Sequence, residues 1–228
     1  MKILRKSISI LSCAILLSSL LFPCEAKAQQ KKVEEADTTA LLQGAVVGAD
    51  LFGAIQRQVS DYGQYEAFLR VNLKGKYFPV LEIGYGEAEC NEDPISGVTA
   101  RTKAPYMRVG CDFNVLKNKH DIYKVFIGAR YGYSKFDFEF SHQGVKDEIW
   151  GGEKVPIYVN DPCNAHWLEG VFGVDAKVIG PVHLGWSFRY RRRISSKSPS
   201  VGEAWYIPGY GRAGSTCLGG TFNLSIGI

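Results

Sequence analysis

The chain has 228 residues, of which 46% are hydrophobic, 12% aromatic and 22% charged, with a net charge of +4. This length suits one domain or two small ones, and the apolar and aromatic content excludes a disordered chain. The only long apolar run lies at the N-terminus, which excludes a bundle of membrane-spanning helices.

Residues 1–28 read as a secretory signal peptide. Lys2, Arg5 and Lys6 precede an apolar stretch from Ile8 to Phe22, and Ala26-Lys27-Ala28 forms a cleavage site. The apolar stretch is short for a membrane anchor, and Pro23 is a poor neighbour for a lipidated Cys24. Removing this leader takes away three of the four net positive charges, so the basic balance is no argument for nucleic-acid binding. Residues 29–42 are polar and read as a short periplasmic tail.

From residue 43 onward apolar residues recur with period two, the period of a strand. The predicted strands are 44–56, 64–74, 76–86, 104–116, 123–138, 165–178, 182–192 and a last one ending at Ile228. One face is apolar throughout, for example Tyr77, Leu81, Ile83 and Tyr85 in the third strand. The other face carries charge and glycine, including Glu66, Arg70, Glu82, Arg108, Gly110, Asp112, Gly128, Arg130, Gly132, Asp175 and Arg189. No amphipathic helical stretch separates the strands, so a parallel βαβ fold is excluded.

Connections alternate in length. Gly75, 117–121 and 179–181 are short turns, whereas 87–103, 139–164 and 193–215 are long loops. All long loops therefore lie at one end. This pattern predicts an all-β fold: an eight-stranded antiparallel up-and-down transmembrane β-barrel over 43–228, with short periplasmic turns and long external loops. A soluble lipocalin-like barrel has the same alternation turned inside out.

The segments KYFPVLEIGYG (76–86), MRVGCDFNVLK (107–117), FIGARYGYSKF (126–136), LGWSFRYRRR (184–193) and YIPGYGR (206–212) resemble a family of small outer-membrane β-barrels of unknown function from Bacteroides-type bacteria. The resemblance implies a fold and a compartment and no reaction.

Eight strands leave a lumen that side chains fill. The expected lumen network sets Asp50, Glu82, Asp112 and Glu169 against Arg70, Arg108, Arg130 and Arg189, because unpaired charge in that space costs several kcal/mol per ion. Cys90 and Cys163 fall in neighbouring predicted loops and form the candidate disulfide, although four cysteines beyond the leader admit three pairings. Arg191, Arg192, Arg193, Trp205, Tyr206 and Tyr210 mark an external recognition loop.

No catalytic, metal or cofactor constellation stands out. His142 and His166 lie near the outer rim, where a lipid-modifying enzyme would need its base. The sequence therefore predicts a monomeric, non-enzymatic envelope protein of the Gram-negative outer membrane, structural or recognising through its loops. Its expected partners are outer-membrane lipids, lipopolysaccharide and the barrel assembly machinery. The alternatives are a lipid-modifying enzyme, a lipocalin-like binder and a narrow pore.

Overall fold

The computed structural model describes residues 41–91, 97–116, 122–144, 156–200 and 202–228, which belong to the compact unit Ala40–Ile228. The predicted signal peptide, nearly all of the predicted tail and the predicted 117–121 turn lie outside the described residues.

The elements in chain order are β1 (Leu42–Asp50), α1 (Leu51–Val59), β2 (Tyr62–Leu73), β3 (Tyr77–Cys90), β4 (Val98–Asn114), β5 (Tyr123–His142), β6 (Ile157–Ile179), β7 (Val182–Lys197), β8 (Tyr206–Ile207), β9 (Gly211–Arg212) and β10 (Thr216–Gly227). Strands β1–β7 and β10 form a closed barrel in which each pairs antiparallel with its neighbours and β1 closes on β10. The β2–β3 turn shows how tightly one end is finished. Lys74 and Gly75 both have positive φ, at 53° and 65°, as a two-residue hairpin of the primed type requires. The Lys76 amide donates to the Leu73 carbonyl at 3.1 Å, and the Gly75 amide to Asn72 Oδ1 at 2.8 Å.

The structure resolves which face points in. Arg108 is 0% exposed and its neighbour Val109 is 51% exposed. In their lower parts the barrel strands repeat this contrast: the face with charge and glycine, joined by a few apolar residues such as Phe78 and Val80, is luminal and the apolar face is outside. The outward apolar rows run over 77–85 on β3, 105–113 on β4, 123–133 on β5, 168–178 on β6, 182–190 on β7 and 218–228 on β10. Each has the roughly 9–11 residues that a tilted strand needs to cross a bilayer core. Tyr65, Tyr85, Tyr131 and Tyr190 stand at one edge of this belt and Tyr77, Phe113 and Tyr123 at the other, the placement of interfacial aromatic girdles.

Several strands run further than the sequence pattern predicts. The β5–β6 ladder continues to His142 opposite Ile157, so residues 139–142 and 157–164 of the predicted 139–164 loop are strand. The reason is a change of polarity across the sheet. Beyond the belt, Lys103, Arg101, Lys135, Asp137 and Glu139 point outward, while Ala100, Ala104, Phe136, Phe138, Cys163 and Ala165 are buried inside. The alternation persists, but with the two faces exchanged. The barrel thus has two storeys: a lower one with an apolar outside and a charged inside, and an upper one built like a soluble β-barrel. Irregular pairing marks the level of exchange. The β4–β5 ladder skips from Lys103 to Tyr106 around Pro105, and β6–β7 shifts register between His166 and Trp167.

The first predicted strand, 44–56, needs correction. It stops at Asp50, and α1 follows. Asp50 is the N-cap of α1, its carboxylate accepting from the Phe52 amide at 3.0 Å and the Gly53 amide at 3.1 Å. The same carboxylate accepts from the Phe222 amide of β10 at 3.0 Å, where the β1–β10 ladder ends. Asp50 therefore closes the ladder and opens the helix at once. Beyond it no ladder joins β2 to β10, and α1 packs between them. Asp50→Ala is expected to cost about 2 kcal/mol, the upper end of the range for a lost cap. Hydrogen exchange should show faster exchange at Phe52, Gly53 and Phe222. Unchanged protection at all three would contradict this role.

Candidate functional site

The lower lumen holds an ion-pair network that is larger than the sequence predicts. Its carboxylates are Glu66, Glu82, Asp112, Glu169 and Asp175; its guanidiniums are Arg70, Arg108, Arg130, Arg189 and Arg191. From the inner end it reads as a chain of contacts. His183 Nδ1 lies 2.9 Å from Asp175, Asp175 lies 3.7 Å from Arg70, and Arg70 lies 3.5 Å from Asp112. Asp112 pairs with Arg130 at 3.0 Å, and Arg130 with Glu82 at 2.8 Å. Glu82 then takes Arg189 in a two-pronged contact of 2.7 and 3.1 Å and Arg108 at 3.2 Å. Arg108 also pairs with Glu66, and with Glu169 at 3.3 Å. Arg191 meets Glu169 at 3.3 Å.

Seven of the eight predicted lumen residues are in this network. Asp50 is buried in the same space, but it serves as the helix cap and makes no ion pair among the described contacts. Glu66 and Asp175, both on the polar face, take part instead. Their alternation was visible in the sequence; their particular partners were not, because cross-lumen contacts depend on the stagger between strands.

Glycines make the lumen wide enough. A Cβ on Gly128 would sit 2.0 Å from Asp112 Oδ1, and one on Gly132 would sit 2.2 Å from the Trp167 ring. The cavity among Arg70, Asp112, Arg130 and Arg189 is about 10 Å³, room for about one water.

Tyr106 and Trp167 form the ceiling of this network. The Tyr106 hydroxyl donates to Glu66 at 2.7 Å, and the Trp167 indole N–H to Glu169 at 2.7 Å. Above them lies an apolar cluster that includes Ala104, Phe136, Phe138, Cys163, Ile207 and Tyr210. These amphipathic rings separate charge below from hydrocarbon above, each satisfying its polar atom on the charged side.

The segment after β7 is a plug, and this corrects the predicted external recognition loop. Tyr206 is 2% exposed and Tyr210 is 0% exposed. The β8–β9 hairpin turns inward and seats its turn on Tyr106 and Gly86. A Cβ on Gly209, whose φ is +80°, would lie 2.5 Å from the Tyr106 ring, and one on Gly86 would lie 2.8 Å from Pro208 Cα. The Tyr210 ring stands edge-on to Trp167 at 5.8 Å. Arg191 is luminal, donating through Nη1 to the Tyr210 carbonyl at 2.9 Å. Arg193 is half-buried against Glu203, Trp205 packs on Tyr62 and Tyr206, and only Arg192 of this set is exposed. The physical reason is composition: Tyr206-Ile207-Pro208-Gly209-Tyr210 is too apolar to leave in water above an open apolar mouth.

Ser200 ties the segment to the wall: its hydroxyl and amide donate to Asp161 at 2.6 and 2.7 Å. These two bonds hold the Asp161 carboxyl below the usual carboxylate range.

The predicted Cys90–Cys163 disulfide is not formed. Both residues lie in strands, not loops, with β4 and β5 between them, and both are free thiols. His166 is on the outer face, its Nδ1 2.6 Å from the Tyr131 hydroxyl and its ring 4.7 Å from that of Tyr133. Ser195 is its register partner across the β6–β7 ladder, and no side-chain hydrogen bond joins the two among the described residues. No group of His, Cys, Asp and Glu with metal-binding geometry occurs among the described residues.

Fold and lumen together define a small, plugged, eight-stranded antiparallel β-barrel whose interior is closed by paired charge. Residues 6–228 match the family described as domain of unknown function DUF6048, and the chain belongs to that family. No curated protein matches it. Among solved structures it is similar to Ail, the attachment invasion locus protein of Yersinia pestis, solved with the heparin analogue sucrose octasulfate. That likeness has 8% identity, covers 81% of this chain and 96% of that one, and has a TM-score of 0.39. It is also similar to a major outer membrane protein from Thermus thermophilus, at 9% identity, with 81% and 98% covered and a TM-score of 0.45.

Proposed function

We propose that the protein is a monomeric, non-conducting barrel of the Gram-negative outer membrane, delivered through a cleaved signal peptide. In this reading it is a non-enzymatic envelope protein that holds its upper storey outside the cell. The carrying observation is the contrast between adjacent residues, Arg108 sealed inside and Val109 exposed within an apolar belt of bilayer height. In water such a belt is a large unprotected hydrophobic surface, far beyond what a soluble monomer exposes. Outer-membrane lipids are the natural contacts of the belt. The collar above it alternates in sign across three strands, with Glu87 and Glu89 on β3, Arg101 and Lys103 on β4, and Asp137 and Glu139 on β5. Its cations, with Arg192, are at the height of lipopolysaccharide phosphates. The last apolar strand, β10, is the segment the barrel assembly machinery would read.

Ion conduction is the direct test. With one water's worth of space around Arg130 and every guanidinium of the network paired, the lumen offers no path. The folded protein inserted into planar lipid bilayers is expected to show no unitary conductance. Steady channel steps that change on Arg130→Ala would replace this reading with that of a narrow pore.

A further inference from the structure

The barrel wall has one place where a helix stands in for a strand. Above Asp50, α1 fills the seam between β2 and β10, and it fills it unevenly. Against β2 it is as close as backbone allows: a Cβ on Gly53 would lie 2.7 Å from the Gln64 carbonyl, and one on Gly63 would lie 2.4 Å from the Arg57 amide nitrogen. Among the described residues, the glycines of β10 make no such approach to α1. There, Gly219 and Gly220 face a cavity of about 350 Å³, within the size range of small-molecule sites.

The chemistry of that cavity is graded. Its outer edge carries Phe52 of α1, 51% exposed, and Leu218 of β10, 63% exposed, both continuing the apolar belt. Its inner lining carries Gln64, Arg191 and Tyr206, and Arg212 stands exposed at its rim. Asp50 also lines it, but three backbone amides already occupy its carboxylate. Arg191 is committed to Glu169 and the Tyr210 carbonyl. Arg212 is not committed: its guanidinium lies over the Tyr62 ring at 5.2 Å, and no carboxylate pairs with it among the described residues. The cavity thus has an uncompensated cation at its exposed rim and hydrocarbon at its mouth, and the seam on that side has no ladder of hydrogen bonds to break.

The geometry points to a binding site for a phosphate-bearing amphiphile between α1 and β10, with its headgroup at Arg212 and its acyl chain leaving past Phe52 and Leu218 into the bilayer. The site rests on the membrane reading above. Arg is suited to the task because its planar fork meets two phosphate oxygens at once. A ligand entering sideways needs no opening of the plug and leaves the ion-pair network intact.

The test uses the full chain folded in nonionic micelles, with native mass spectrometry counting retained lipid. The probe is 1-palmitoyl lysophosphatidic acid. The expected result is one molecule retained per barrel, with none of lysophosphatidylcholine, whose headgroup has no net charge. Arg212→Gln, which removes the cation without touching the lumen network, should lower retention about tenfold, the scale of one charge-assisted hydrogen bond. Gln56→Trp should block the cavity by volume alone. Equal retention by Arg212→Gln, or equal retention of lysophosphatidylcholine, would overturn the site. Displacement by inorganic phosphate at equal concentration would overturn the lipid as its source. A heat-dependent gel shift on each sample separates these outcomes from failure of the membrane reading, since a barrel that folds in micelles and retains nothing sinks the site alone.

Discussion

Glu82→Ala is expected to cost the barrel about 3–5 kcal/mol, the range for removing one partner from a buried ion pair. Glu82 stands within 3.2 Å of three guanidiniums, those of Arg108, Arg130 and Arg189. Arginine does not give up its proton in a protein, so neutralisation cannot relieve the three cations left behind. Glu82→Gln should cost nearly as much, because it restores shape and not charge. The measurement is urea unfolding of the folded protein in detergent, followed by the heat-dependent gel shift. Asp175→Asn provides the comparison. Asp175 lies at the inner end of the network, and its partners are His183 and a single long contact from Arg70. Its loss should cost clearly less than that of Glu82. A Glu82→Ala barrel destabilised by under about 1 kcal/mol would mean that water reaches the lumen and screens it.

Glu82 also shows how far the sequence could be read. Its place on the polar face followed from the two-residue period alone, and so did those of Arg108, Arg130 and Arg189. Glu66 stood in the same row, yet its role depends on Arg108 and Arg189, from β4 and β7, which the stagger of a closed sheet brings to it. No local pattern encodes that stagger. Asp50 was misread for the opposite reason. Its neighbours fit both a strand and a helix, and the decision falls to three amides, one of them contributed by Phe222 far along the chain. The plug was illegible for a third reason. An aromatic, glycine-rich loop reads as a recognition surface until the mouth it covers is known to be apolar, and that mouth exists only because the sheet exchanges its faces above Pro105.

This exchange also explains how one short chain satisfies two solvents. Below it, in the proposed membrane setting, charge would be hidden from lipid by pairing across the lumen. Above it, charge faces water and the lumen is filled by Phe136, Phe138, Trp167 and the plug. Tyr106 and Trp167 sit at the boundary because each offers one polar atom downward and a ring upward. The seat of the plug is therefore part of the same device as the ion-pair network. Arg191 makes the connection explicit, joining Glu169 below to the Tyr210 carbonyl above.

The second large effect lies on the outer face. Val109→Arg is expected to destabilise the barrel by about 2–4 kcal/mol in a bilayer, the cost of a cation near the midplane on the lipid side of a β-barrel. Val109 is in the middle of the β4 outward row, with Pro105 and Met107 on one side and Cys111 and Phe113 on the other. The matching change above the belt is Asn160→Arg on β6, whose register partner on β5 is Glu139. That substitution should stay within about 0.5 kcal/mol, as exposed surface changes do. The pair is decisive because both positions are solvent-accessible in the isolated chain. If the outside met water everywhere, Val109→Arg would be as mild as Asn160→Arg. A difference of several kcal/mol between the two, measured by reversible unfolding in lipid vesicles, places hydrocarbon against the lower storey and water against the upper one.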